Sequence, residues 1–379
     1  FKQKTAYEIG VRLVGSEMCI RDRSMYWGDS FGAAASAFGE VVFNTSMTGY
    51  QEMLTDPSYA GQIVVPTYPL IGNYGINQMD DESSKIQVSG FVVRSECREP
   101  SHVLSKETLD SYLKRHNIPG ISGLDTRAVA RRLRINGVMR GMIGVGDDAD
   151  DALGELKKAP DYGTLDFVSR VSSAKAYDWE PNRPVSEEEE LGTIVVVDCG
   201  VKFNILRILR SKGWNVKVVP INTQPKDILS LDPAGVLVSP GPGDPENLIY
   251  AVENVGQLVG KVPLFGICLG QQLLGRALGA GTYKLKFGHR GGNHPVKDLL
   301  TNRTFVTAQN HGYAIDPDSM PATIQVTHTN LNDSTIEGIR DESNMVMAVQ
   351  YHSESSPGPK DNEDQFDLFL DMVSRNRGS

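Results

Sequence analysis

Cysteine is scarce in this chain of 379 residues: Cys19, Cys97, Cys199 and Cys268 lie far apart and form no CxxC pair. That usage excludes a zinc ribbon and a disulfide framework, and it suits a reducing, cytoplasmic compartment. Basic charge is in deficit, with 38 Lys and Arg against 47 Asp and Glu, and aromatic residues make up 7%. A nucleic-acid partner would need a basic face, so none is expected. Long apolar runs are missing too; the longest, such as residues 262–268, are strand-sized. A membrane span would need roughly 18 residues, so no membrane association is expected. The first lysines lead into no apolar core, so no signal peptide is expected.

What remains is ordinary for a folded protein, 40% apolar and 22% charged, with length for two or three domains. Residues 1–23 begin at Phe1 and join weakly to the rest of the chain. They are expected to be a non-native leader, such as translated adaptor sequence, in place of the true start. Residues 24–150 mix short β-like runs (40–43, 62–65, 90–93) with a helix near 125–135. Asp125 serves there as N-cap, Ala128, Val129 and Leu133 recur at helical spacing, and Gly137 stands just past the end. Residues 151–190 turn polar, with Pro181, Pro184 and four consecutive acids at 187–190, and predict a solvated acidic linker.

Residues 191–379 alternate strand and helix signals. Strands are expected at 193–197, 215–219, 235–239 and 262–267, and helices at 202–209, 246–258 and 269–278. That alternation predicts an α/β fold, an open, mostly parallel sheet with crossover helices, after an N-terminal mixed β/α domain. Hairpin-like strands fill 279–350, and a last helix near 363–374 places Phe366, Phe369, Leu370 and Val373 on one stripe. Ligands of such sheets bind beyond the carboxyl ends of the strands, which directs attention to the residues after Ser239 and Ile267.

Gly266-Ile-Cys-Leu-Gly270 ends a buried strand and opens a helix. It is the thiol counterpart of a Gly-x-Ser-x-Gly nucleophile elbow, and the helix N-terminus favours the thiolate. Cys199 comes after a strand without the flanking glycine pair and reads as packing. A cysteine nucleophile needs a base and the base an orienting partner. Among seven histidines, His352 stands out, ending a strand with Glu354 two residues on; period-2 geometry puts both on one face. His289 and His294 are metal-capable, but no carboxylate or thiol cluster stands near them in sequence, so no metal site is expected. The turn Ser239-Pro-Gly-Pro-Gly-Asp-Pro245 lacks the Lys-Ser/Thr of a phosphate loop. It offers instead a fixed backbone N–H that could pair with that of Leu269 to hold an oxyanion.

Residues 239–245, Gly266-Ile-Cys-Leu-Gly-Gln-Gln272 and Gln350-Tyr-His-Ser-Glu354 together resemble the class I glutamine amidotransferases (a flavodoxin-like fold). More narrowly, residues 286–298 and Gln309-Asn-His-Gly-Tyr313 are similar to the small chains of carbamoyl-phosphate synthases, as are residues 39–52 and 123–128 of the first half. The resemblance implies hydrolysis of L-glutamine to glutamate and ammonia by a Cys268–His352–Glu354 triad, with Gly241 and Leu269 as oxyanion donors. It carries substrate contacts over to Ser46, Gly241, Gly243, Leu269, Gln272, Asn310, Gly312 and Tyr313. It further implies a large partner subunit that receives ammonia through a tunnel and uses ATP, Mg and bicarbonate to make carbamoyl phosphate for arginine and pyrimidine synthesis. No cofactor is implied in this chain. Ser353 stands where the family usually has proline, and Tyr313 where phenylalanine is frequent. The alternatives are a glutaminase serving another synthetase and a non-catalytic assembly subunit; the motif at 44–50 speaks against the first and the intact triad against the second.

Overall fold

The computed structural model describes residues 15–20, 24–145, 154, 156–179 and 191–377. The first domain is a closed barrel. Around it run, in order, the strands Gly15–Ile20, Met25–Gly32, Pro119–Ser122, Gly90–Val92, Gln62–Pro66, Ala37–Asn44 and Met139–Val145. The strands 37–44, 62–66, 90–92 and 119–122 pair in parallel and the remaining pairs are antiparallel. Alternation along the strands feeds two apolar clusters: Val42, Val64 and Phe91 enter one, and Val41, Phe43, Ile63, Val65 and Val92 the other. The helix Thr126–Asn136 obeys the expected rules. Asp125 Oδ1 accepts from the Ala128 N–H at 3.0 Å, Val129 and Leu133 are fully buried, and Gly137 ends it at φ 89°.

Two expected boundaries need correction. The leader expected at residues 1–23 contains the strand Gly15–Ile20, which pairs with both Met25–Gly32 and Met139–Val145 and closes the barrel. Met18 and Ile20 are completely buried in it. An apolar alternation of two residues is too short to stand out in a sequence, yet a barrel cannot close without a strand at that place. Residues 151–190 are likewise not all solvated linker. Phe167 stacks on Tyr162 at 4.7 Å, both are buried beside Ala60, and Val168 joins the core of the second domain. Tyr177–Asp178 adds an edge strand to that domain. The acidic run at 187–190 lies outside the described residues.

The second domain is built on a ten-stranded sheet. Its parallel part has the order Asn215–Pro220, Thr193–Asp198, Gly235–Val238, Leu264–Ile267 and Val346–Val349. The antiparallel strands Ile336–Asp341, Gln325–Asn330, Thr282–Asp298 and Thr304–Ile315 extend it. Near-continuous Val, Ile and Leu runs suit strands covered on both faces. Phe366, Phe369, Leu370 and Val373 of the helix Asp364–Arg377 cover one face. Burying each is worth about 1.5–3 kcal/mol. The helix expected at 246–258 starts later, as Ile249–Gly256, because Asp244 caps a separate tight turn, Pro245–Asn247. No helix among the described residues is long and apolar enough to cross a membrane.

Candidate active site

The elbow forms as its glycines require. Cys268 sits between the strand Leu264–Ile267 and the helix Leu269–Ala277 with φ 54° and ψ −106°, a backbone region strained for any residue with a side chain. Its N–H donates to the Val349 carbonyl at 2.8 Å, which anchors the turn to the neighbouring strand. A Cβ at Gly266 would lie 2.7 Å from the Gly270 backbone, and one at Gly270 would lie 2.0 Å from the Val238 carbonyl oxygen. Only glycine fits at either place, so the pair exists for close packing under the turn. Cys268 itself is the N-cap of the helix, where unpaired amides favour negative charge. Cys199 is also buried, and burial raises its thiol well above the ordinary range.

His352 and Glu354 meet, though in a different way from that expected. The strand ends at Val349, and both residues lie in the tight turn after it, where the Ser355 N–H donates to the His352 carbonyl at 3.0 Å. The imidazole Nδ1 is 2.6 Å from Glu354 Oε1 with Ser353 between them in sequence, and all three residues are buried. Nδ1 is thereby occupied, and Nε2 has no hydrogen-bond partner with ideal geometry among the described residues. Burial alone would lower the His352 pKa. The Glu354 carboxylate and then Cys268 outweigh it and raise the group to about 10. Burial would raise Glu354, but Lys202 and then His352 hold it low.

Lys202 is one residue that sequence reasoning missed. Its Nζ is 3.0 Å from Glu354 Oε1 and also donates to the Ser355 carbonyl, with the side chain 2% exposed. A buried ammonium needs such partners to remain charged. The available signal was its place four residues after the strand Thr193–Asp198, at the carboxyl edge of the sheet.

Gly241 lies against the elbow: a Cβ there would meet the Cys199 carbonyl oxygen at 2.2 Å and Leu269 Cδ2 at 2.8 Å. The turn is held by Ser239, whose Oγ accepts from the Cys199 N–H at 2.9 Å. Gly241, Gly243, Gln272, Asn310, Gly312 and Tyr313 all line one cavity with Cys268. Ser46 lines the adjoining cavity, together with His352 and Lys202, and Asn310 borders both. Leu269 touches the first cavity only through its contact with Gly241. Gln272 Nε2 donates to the Tyr313 carbonyl at 2.8 Å and to Gln350 Oε1 at 3.0 Å, which fixes its amide.

The barrel completes the site. Asn310 Nδ2 donates to Asp56 Oδ2 at 2.8 Å, Lys284 pairs with Glu40 at 2.7 Å, and the Thr45 N–H donates to the Arg290 carbonyl at 3.1 Å. Glu40, Ser58, Gln62 and Tyr162 form the far wall of the Cys268 cavity. Asp56 and Glu40 carried no sequence signal, because their partners are more than two hundred residues away along the chain.

A thiol on an elbow at the carboxyl edge of a parallel sheet, one strand from a buried His–Glu pair, fits the class I glutamine amidotransferases. That family, Glutamine amidotransferase class-I, matches residues 195–372. Carbamoyl-phosphate synthase small chain, CPSase domain, matches residues 18–143, beginning inside the strand that closes the barrel. The carbamoyl phosphate synthase small chain of Syntrophotalea carbinolica is 48% identical over 370 residues, which span 96% of this chain and 98% of the relative. That of Aquifex aeolicus is also 48% identical, over 94% of this chain and 98% of its own. The chloroplastic small chain of Oryza sativa is 45% identical over 97% of this chain and 84% of its own. The chain belongs to the carbamoyl phosphate synthase small chain family, whose members are glutamine-hydrolysing amidotransferase subunits.

Proposed function

We propose that this chain hydrolyses L-glutamine through Cys268, His352 and Glu354 and passes the ammonia to a large synthetase subunit. The observation that carries the reading is the strained Cys268 elbow beside the His352–Glu354–Lys202 array, all of it buried. The Cys268 thiol passes its proton to His352 Nε2 as its sulphur attacks the side-chain amide carbon, and the carbonyl becomes an oxyanion that the amides of Gly241 and Leu269 stabilise, an effect worth roughly 3–4 kcal/mol per donor. His352, protonated on Nε2, gives that proton to the leaving nitrogen, so ammonia departs and a thioester remains. Water then adds to the thioester with His352 Nε2 taking its proton, and glutamate leaves as the thiol is restored. Glu354 keeps the imidazole oriented through Nδ1, and Lys202 keeps Glu354 ionised.

Ser46, Gly243, Gln272, Asn310, Gly312 and Tyr313 are the proposed contacts for the glutamine head and amide. The large subunit, reached through an ammonia tunnel, would use ATP, Mg and bicarbonate to form carbamoyl phosphate for arginine and pyrimidine synthesis. This chain has no phosphate-loop motif of its own, which supports that division of labour. Its separated cysteines support a reducing compartment such as the cytoplasm. The test is carbamoyl phosphate formation from glutamine by this chain together with a large subunit. Activity is expected with glutamine, and with free ammonia alone when Cys268→Ser is used; glutamine-dependent synthesis by Cys268→Ser would refute the reading.

A further inference from the structure

Three strands bring together side chains whose order in sequence hides them. His289 on Thr282–Asp298 lies directly opposite His311 on Thr304–Ile315 in the antiparallel register. Opposed residues of such a pair point to the same face. Glu337, on Ile336–Asp341, reaches the same point, and one ligand atom from each of the three lies within 4.8 Å of the other two. All three are at least nine-tenths buried, with Glu337 wholly so.

Hydrogen bonds hold each of the three groups in place. His311 Nδ1 is 2.7 Å from the Tyr313 carbonyl, an acceptor, so its proton sits there and Nε2 carries the lone pair. That Nε2 is buried and has no partner among the described residues. His289 Nε2 meets Asp333 Oδ2 at 2.8 Å, leaving Nδ1 at 3.5 Å from Glu337 Oε1, longer than a good hydrogen bond. Glu337 is held by two amides, Asn330 Nδ2 donating to Oε1 at 2.8 Å and Gln309 Nε2 to Oε2 at 2.9 Å, and the same Asn330 Nδ2 lies 3.5 Å from His289 Nδ1. Carboxylate or carbonyl partners on the far nitrogen of each histidine, and amides on the carboxylate, are the outer support that metal ligands usually have.

We propose that His289 Nδ1, His311 Nε2 and Glu337 Oε1 bind a divalent cation of the zinc class, which ties the hairpin carrying Asn310 and Tyr313 to the sheet. Two imidazoles with one carboxylate suit zinc rather than magnesium or calcium. Bonds of about 2.1 Å place tetrahedral ligands about 3.4 Å apart, so the three groups draw together on binding. On binding, the ion takes the place of any proton on His289 Nδ1, that proton leaves to solvent, and the two positive charges of the ion meet the Glu337 and Asp333 carboxylates.

The test uses the full-length chain, stripped with EDTA and dialysed against Zn2+, with bound metal measured by mass spectrometry and Co2+ as a spectroscopic probe. A single equivalent of zinc is expected to be retained. Co2+ should give tetrahedral d–d bands without a sulphur charge-transfer band, unchanged in Cys268→Ser. His311→Gln and Glu337→Gln should lose the metal, and Asp333→Ala should weaken it about 10–100-fold. Should those variants fail to fold, the wild-type chain still decides: its Tm must rise with Zn2+ and fall with EDTA. No retained zinc, retention unaffected by His311→Gln, a sulphur charge-transfer band or a Tm indifferent to Zn2+ would each overturn the proposal.

Discussion

The two domains use β-structure in opposite ways. The barrel closes on itself, leaves no strand edge open and presents inert walls; the second sheet stays open and lets its parallel strands run out into turns. The reactive groups track that difference. Cys268 and the His352–Glu354 turn come directly after neighbouring parallel strands, while Lys202, Gly241 and Gly243 lie beyond two more. The barrel lends Asp56, Glu40 and Ser46 from across the interface. Open strand ends supply chemistry, and the closed barrel supplies position.

The comparison breaks most severely at the sheet edge. Cys268→Ser should lower glutamine hydrolysis by at least about 10⁴-fold, read as ammonia release, since nucleophile loss removes most of the catalytic rate. The fold should survive, because the serine is nearly isosteric.

Lys202→Met comes next. It leaves the Glu354 carboxylate buried without its ammonium, and breaking one side of such a pair costs about 3–5 kcal/mol. Denaturant unfolding should show that loss. Adding Glu354→Gln should recover part of it, because the two positions share one interaction. Full additivity would separate Lys202 from the array.

A change on the barrel side should be milder. Asp56→Ala leaves the Asn310 amide unpaired, a cost of about 1–3 kcal/mol. It should raise the glutamine KM more than it lowers kcat. Asp56 also caps the turn Pro57–Tyr59 through the Ser58 N–H, so Asp56→Asn, which retains an acceptor there, should do less harm. A kcat loss as large as that of Cys268→Ser would make the barrel a chemical participant.

The smallest effect is on stability against pH. His352 rises from 6.5 to about 10 on folding, so its contribution is complete below about pH 6.5 and is lost as pH climbs through about 10. Glu354 falls from 4.5 to about 2, so its contribution is complete above about pH 4.5 and is lost as pH drops through about 2. Both are whole between about pH 4.5 and 6.5. The Tm of the wild-type chain should decline on either side of that window more steeply than that of a His352→Gln, Glu354→Gln double variant.

The open sheet was the more legible half in sequence. Its central parallel strands Thr193–Asp198, Gly235–Val238 and Leu264–Ile267 are buried on both faces, so each reads as a near-unbroken apolar run, and glycines flank the elbow because no Cβ fits there. The barrel was less legible. Its strand Gly15–Ile20 buries Met18 and Ile20, too short a pattern to stand out, and Phe167 and Val168 are buried within a polar stretch. Asp56 and Glu40 were illegible for a different reason: each matters only through a partner far along the chain, and spacing rules see neighbours only; Lys202 had its place after a sheet strand as a signal, but not its partner. The contact of His352 with Glu354 was expected correctly, yet it is made by a turn and not by strand alternation.

The central claim is that the elbow thiol alone is the nucleophile, and mass spectrometry of the chain after exposure to an electrophilic glutamine analogue tests it most directly. The adduct should sit on Cys268, be prevented by excess glutamine, and be missing from buried Cys199 and from the partly exposed Cys97. An adduct on Cys97, or labelling of Cys268 that glutamine does not slow, would contradict the account.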